Sequence, residues 1–201
     1  MHFSTIFAAS AMASAAFAAD HKVLVGTKAG DLVFKPDSLK AAEGDTVTFS
    51  FWPKNHSVAQ ATFANPCQPM QNGFWSGFVP TTDMEAVAPT TFTYEVKNAS
   101  APVWFYCTQG QHCQNGMVGV INPPASGPKT LDAFKSASEK ATDNVSPTST
   151  AGSGGNLTEN STSTSGSSSS SSSPAATGAA SHLAGSAMFA GMTGLFTFFM
   201  L

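Results

Sequence analysis

Between Asp20 and Pro123 the chain alternates short apolar runs with polar breaks, and the runs are too short for ordinary helices. KVLVGT (22–27), DLVFKP (31–36), TVTFSFW (46–52), TFTYEVK (91–97), VWFYCT (103–108) and MVGVIN (117–122) are rich in β-branched and aromatic residues. Glycine, proline, Asn, Asp or Ser separates them, as Gly44-Asp45 does before the third run. Such residues suit a pleated, half-buried surface, and several short strands at this spacing predict an all-β sandwich or barrel. LDAFKSASEKA (131–141) predicts one short helix with Leu131 and Phe134 on a single face. No internal repeat is visible.

The pattern changes at both ends. Residues 1–19, MHFSTIFAASAMASAAFAA, form an apolar, alanine-rich stretch ending in small residues, as in a secretory signal peptide cut after Ala18 or one residue later. From about Ser146 the chain turns Ser/Thr/Gly/Ala-rich, with an uninterrupted serine run from Ser167 to Ser173. So few large apolar groups cannot offset the entropy of ordering, which predicts a disordered Ser/Thr-rich stalk over 146–178. The closing SAMFAGMTGLFTFFML carries no charge and is shorter than the about 20 residues a spanning helix needs. Small residues at Gly178-Ala179-Ala180, a spacer and a terminal apolar tail instead follow the pattern of a glycosylphosphatidylinositol (GPI) attachment signal over 179–201, with Gly178 the candidate attachment residue. The expected order is therefore signal peptide 1–19, β domain 20–125, short helix and linker 126–145, stalk 146–178 and a removed anchor signal. The chain would stand at the cell surface or wall, held to the membrane by a lipid.

Charge narrows the partners. All nine cationic residues are lysine and the formal net charge is -3. A nucleic-acid surface needs clustered Lys/Arg, so none is expected. Five N-x-S/T sequons fit a secreted chain. Asn98, Asn144, Asn156 and Asn160 are the candidate glycan acceptors. Asn55 is set aside because it adjoins His56.

The candidate chemistry lies in WFYCTQGQHCQNGMVGVIN (104–122), where Cys107, His112 and Met117 recur as C-x4-H-x4-M. The chain holds three cysteines, Cys67, Cys107 and Cys113. An odd number in an oxidising compartment leaves one thiol unpaired. That thiol could form an intermolecular disulfide, lie buried and inert, act as a nucleophile or ligate a metal. If Cys67 pairs with Cys113, Cys107 is the free one. Among the histidines, His182 would leave with the anchor signal and His21 stands in the first strand. His56, in PKNHSV after the third strand, is the natural second imidazole. Two imidazoles, one thiolate and one thioether match the His2Cys site with a weak axial Met that holds type 1 copper. A multicopper oxidase would need H-x-H pairs, which are absent here. A monooxygenase built on an amino-terminal histidine would need cleavage just before His21, with Asp20 at the cleavage position.

FYC followed by a histidine and GMVGVIN resembles the copper loop of cupredoxins, and C-x4-HC-x3-GM is similar to plant phytocyanins. With VLVG, FKPDSL, AAEGDTVTFSF, NHSVAQATFANPCQP, GFWSGF and VWFYC, residues 22–123 resemble the fungal serine-rich, surface-anchored cupredoxin-like proteins. That resemblance implies a Greek-key β-sandwich, one type 1 copper held by His56, Cys107, His112 and Met117, and a Cys67–Cys113 disulfide. A site saturated by protein ligands suits outer-sphere electron transfer by a monomeric, non-enzymatic domain, with an unidentified redox partner or copper donor. The competing expectation is a copper-sequestering or wall and adhesion module without redox turnover.

Overall fold

The computed structural model describes residues 17–160. The signal peptide up to residue 16, most of the stalk, Gly178 and the anchor signal lie outside the described residues. The strands are β1 (Asp20–Val25), β2 (Phe34–Lys35), β3 (Ser38–Leu39), β4 (Thr46–Phe51), β5 (Lys54–His56), β6 (Ala59–Ala61), β7 (Val79–Thr81), β8 (Thr90–Glu95), β9 (Val103–Tyr106) and β10 (Val118–Ile121). One helix, α1 (Leu131–Ser138), and a last strand, β11 (Asn156–Glu159), follow. All six strand-like runs of the sequence contain an observed strand, and the helix forms where its apolar pair predicts it.

One sheet has the order β11-β8-β4-β1-β2, a second β3-β10-β9-β6, and β5 pairs with β7 in a small third ribbon. The chain passes repeatedly from the first sheet to the second and back. As a result β1 lies parallel to β4, and β3 parallel to β10. This is a Greek-key β-sandwich.

Alternation explains how the sheets meet. In β4 the even-spaced Val47, Phe49 and Phe51 are buried while their neighbours are partly exposed. Those three join Val23, Val25, Phe34 and Phe92 of the first sheet against Val103, Phe105 and Ile121 of the second. Phe105 meets Phe34 and Phe49 edge-on, at ring-centroid distances of 4.9 and 5.4 Å. Edge-to-face pairs of this kind add to the area they bury. Opposite Phe105 the partner residue is Gly119, where a Cβ would come within 2.3 Å of the Phe105 ring. Glycine is there to admit the ring.

β9 and β10 are buried at every position. Their outward residues Trp104, Tyr106, Val118 and Val120 form a second core with Ala59, Ala61, Trp75, Phe134 and the Cys67–Cys113 disulfide. A sheet covered on both faces reads as a continuous apolar run, as VWFY does. α1 therefore belongs to the folded body and is no linker: Phe134 is fully buried, 4.8 Å from Trp104 between ring centroids. Thr130 caps it, its hydroxyl accepting from the Ala133 N–H.

The stalk expectation needs a further correction. Residues 146–160 are part of the sandwich. β11 pairs antiparallel with β8 from Asn156↔Thr93 to Glu159↔Thr90, completing the first sheet at that edge. Before it, Trp75 N–H donates to Ser153 O and Gly152 N–H to Trp75 O. Backbone hydrogen bonding secures this polar segment without an apolar face of its own, because every residue except proline carries a donor and an acceptor whatever its side chain.

Candidate metal centre

Cys107 follows β9 and Met117 precedes β10, so the 107–117 loop joins two adjacent strands. Cys107 N–H donates to Met117 O at 3.1 Å, and Met117 N–H to His112 O at 3.0 Å. These bonds fold the eleven-residue span back on itself and bring the regularly spaced donors to one end of the sandwich. His56 arrives from the other direction, at the end of β5, where it pairs with Val79 of β7.

Cys107 Sγ lies 3.4 Å from His112 Nδ1 and 3.9 Å from His56 Nδ1. All three donor atoms fall within 4.8 Å of one another. The imidazole rings stand 5.0 Å apart, tilted by 47°. Met117 is wholly buried at the loop's end. His56 and Cys107 are buried too, and His112 is half-buried, so it is the donor nearest solvent. A hollow of about 170 Å³, lined by Leu32, Pro53, Lys54 and Gln109 among others, opens beside the two histidines. Gly26 seats the far side of the His56 ring: a Cβ there would come within 2.8 Å of Nε2. That contact turns Nδ1 toward the sulfur.

Electrostatics prepares the same atoms. Burial lowers the pKa of His56 to about 4, with the nearby His112 adding to the effect and a hydrogen bond to the Pro53 backbone opposing it. Burial also lowers that of His112, helped by the Lys54 ammonium. Both imidazoles are neutral at neutral pH, the state that ligates a metal. Burial pushes the Cys107 thiol up, against hydrogen bonds from Gln109 and Ser57. A cation in the pocket reverses that cost, because a ligating thiol is deprotonated outright. Soft sulfur donors, borderline imidazoles and a free buried thiol aimed at two ring nitrogens fit one type 1 copper.

The depressed His56 pKa sets a pH window for the stability of the metal-free fold. Its pKa is 6.5 when unfolded and about 4 when folded, so between these values the unfolded chain binds the extra proton. The metal-free fold should keep this contribution above pH 6.5 and lose it progressively as pH falls toward 4. Urea midpoints of the metal-free protein should fall over that window, and His56→Gln should flatten the fall. Equal slopes in the two proteins would contradict it.

Among the other sequence candidates, Cys67 and Cys113 are joined and Cys107 is free. His21 Nε2 donates to Asp45 Oδ2 at 2.9 Å. It stands five residues before Gly26 along β1, about 16 Å at strand rise, and takes no part in the centre. Asn98, Asn156 and Asn160 are exposed. Asn144 is not free: its side-chain nitrogen donates to Cys107 O and Gly110 O. Asn55 is also engaged, donating to Gln109 Oε1 at 2.9 Å. Sequence reasoning missed Ser57, whose hydroxyl accepts from Thr108 N–H and lies 3.8 Å from Cys107 Sγ. Its only signal was adjacency to His56.

A buried thiol and two imidazoles converging at one end of a Greek-key sandwich define a small copper protein of the type 1 class. The chain belongs to the copper binding proteins of the plastocyanin/azurin family, which match residues 21–122. Two relatives are known from Arthroderma benhamiae. An "Extracellular serine-rich protein" is 38% identical over 149 residues, covering 74% of this chain and 56% of that protein. A "Probable GPI-anchored cupredoxin-1" is 35% identical over 137 residues, covering 68% of each. The chain thus aligns with little more than half of the first relative's length. Among solved structures, plastocyanin from Dryopteris crassirhizoma is 22% identical, covering 50% of this chain and 96% of its own, with a TM-score of 0.34. Pseudoazurin from Hyphomicrobium denitrificans is 18% identical, covering 62% and 100%, with a TM-score of 0.39.

Proposed function

We propose that this copper-binding protein is a single-electron carrier, with His56, Cys107 and His112 as the close ligands and Met117 as the weak axial one. Bound copper would supply a Cu(I)/Cu(II) couple. The observation that carries this reading is the closed shape of the site. Three donors converge within 4.8 Å, and of the four proposed ligands only His112 reaches toward solvent. Four protein donors leave no open position for a substrate, unlike a catalytic metal centre, so the domain acts without being an enzyme. Two elements of a rigid sandwich hold the donors, which limits rearrangement on electron gain or loss. The half-buried His112 is the shortest way out for the electron. Fast, reversible voltammetry of the loaded protein, with rapid exchange against a small soluble oxidant, is the expected result. Tight copper retention with sluggish exchange would refute the carrier role and favour sequestration.

The location is part of the same reading. The relatives' names, the serine-rich segment and the short apolar terminus support a lipid-anchored domain at the cell surface. Mass spectrometry of the surface form should find no peptide reaching Leu201. Detecting one would sink the anchor assignment and leave the copper chemistry untouched.

A further inference from the structure

Residues 144–146 lie beyond the part of the chain that matches the copper-binding family, yet Asn144 and Ser146 touch the metal loop and Val145 holds the residues that flank and brace it. Asn144 Nδ2 donates to Cys107 O at 3.1 Å and to Gly110 O at 2.9 Å, with Gln109 O at 3.5 Å. Val145 N–H donates to Cys67 O, and Tyr106 hydroxyl donates to Val145 O. Ser146 hydroxyl donates to Thr108 Oγ1 at 2.9 Å, and Thr108 Oγ1 is 3.0 Å from the Ser57 hydroxyl that faces the Cys107 sulfur. The strap thus grips the ligand-bearing turn, its disulfide and the strand that delivers Cys107.

We propose that Asn144 is a positioning residue of the copper loop: its side-chain amide holds the Cys107–Gly110 backbone in its ligating conformation, and it is for that reason not a glycan acceptor. The three facing groups are carbonyl oxygens, which only accept, so the amide nitrogen alone can meet them. Its two N–H bonds are both committed. Oδ1 is buried with no protein partner, so turning the amide over would exchange two hydrogen bonds for oxygen–oxygen contacts. A sugar on Nδ2 would replace one of the two donors and would have to grow into the point where the loop carbonyls converge. The sequon Asn144-Val145-Ser146 is spent on the site. Asn98, with its side-chain oxygen accepting from Ser100 N–H and the residue exposed, keeps its nitrogen free for a glycan.

The inference uses the copper reading for only one of its readouts, and the test separates the two. Full-length wild type, Asn144→Asp and Asn144→Ala are compared. In the metal-free proteins, the rate at which Cys107 reacts with a small thiol reagent reports how often the loop opens. Loss of two donors at a buried turn should raise it about tenfold in Asn144→Ala. Asn144→Asp keeps the shape but sets carboxylate oxygens against three carbonyls, so it should react faster still. If the side chain only filled space, the order would reverse, with Ala the worse and Asp near wild type; that order, or no change in either, overturns the proposal. In the copper-loaded proteins both variants should shift the thiolate-to-copper band and the reduction potential, and an unshifted centre counts against it equally. Glycopeptide mapping of the secreted protein should find Asn144 bare, and a glycan there overturns it. A wild type that shows no thiolate-to-copper band would defeat the copper reading instead, while the thiol-labelling order would still decide the role of Asn144.

Discussion

Cys107→Ser should erase the intense thiolate-to-copper charge-transfer band that copper(II) produces in the wild-type protein, and no other single substitution should do so as completely. The band requires a sulfur anion bound to the metal. A serine hydroxyl keeps its proton near neutral pH and is a hard donor, so the change removes the ligand in kind as well as in position. Loss of partners that merely support a metal ligand costs 10–100-fold in affinity, and loss of the thiolate itself should exceed about 100-fold. The fold should survive. Serine is close to cysteine in size, and the buried position offers His56 Nδ1, His112 Nδ1 and the Ser57 hydroxyl as polar neighbours. Visible and EPR spectra with copper content per chain check the result. An unchanged band in the variant would remove Cys107 from the ligand set.

The second large effect is on stability. Replacing Cys67 and Cys113 together by alanine opens a loop whose ends are 46 residues apart. On the chain-entropy account this costs about 4 kcal/mol, a large part of a domain's margin of about 5–15 kcal/mol. The bond also sits where its loss reaches the metal loop. Cys113 follows His112 directly, and Cys67 O accepts from Val145 N–H of the strap. Both sulfurs are buried beside Trp104, Tyr106 and Phe134, so truncation leaves a gap in the second core. Urea unfolding of the metal-free double variant should show a markedly lower midpoint. A change below about 1 kcal/mol would mean that the unfolded chain is already compact around these residues.

Legibility followed the range of the interaction. Six apolar runs announced themselves because each is long enough to show composition and punctuation. β3, β5, β6 and β7 are two or three residues long and show neither, so they escaped notice although β5 carries His56. β11 is illegible in the sequence for a different reason. Its four residues are all exposed, and NLTE has no buried face to produce alternation. What holds it is the ladder to β8. α1 was recognised as a helix, but its apolar pair could not say that Phe134 would close the outer face of β9 and β10. The sequon at Asn144 is a local pattern, and nothing local shows that its side-chain nitrogen donates to Cys107 O and Gly110 O.

By itself the sequence determined the chemistry: a free thiol, imidazoles and a thioether at C-x4-H-x4-M spacing, set between strands that must bury their aromatic faces. These are properties of residue type and near-neighbour order, and they survive any arrangement of the rest of the chain. Only the tertiary structure decided that His56, 51 residues from Cys107, brings Nδ1 to 3.9 Å from its sulfur, and that Asn144, 37 residues beyond Cys107, grips the turn that follows it. Both depend on which sheet edges meet and which carbonyls are left without partners once the sandwich has closed. Those are outcomes of packing and hydrogen-bond satisfaction over the whole domain, to which no single stretch of sequence holds the answer.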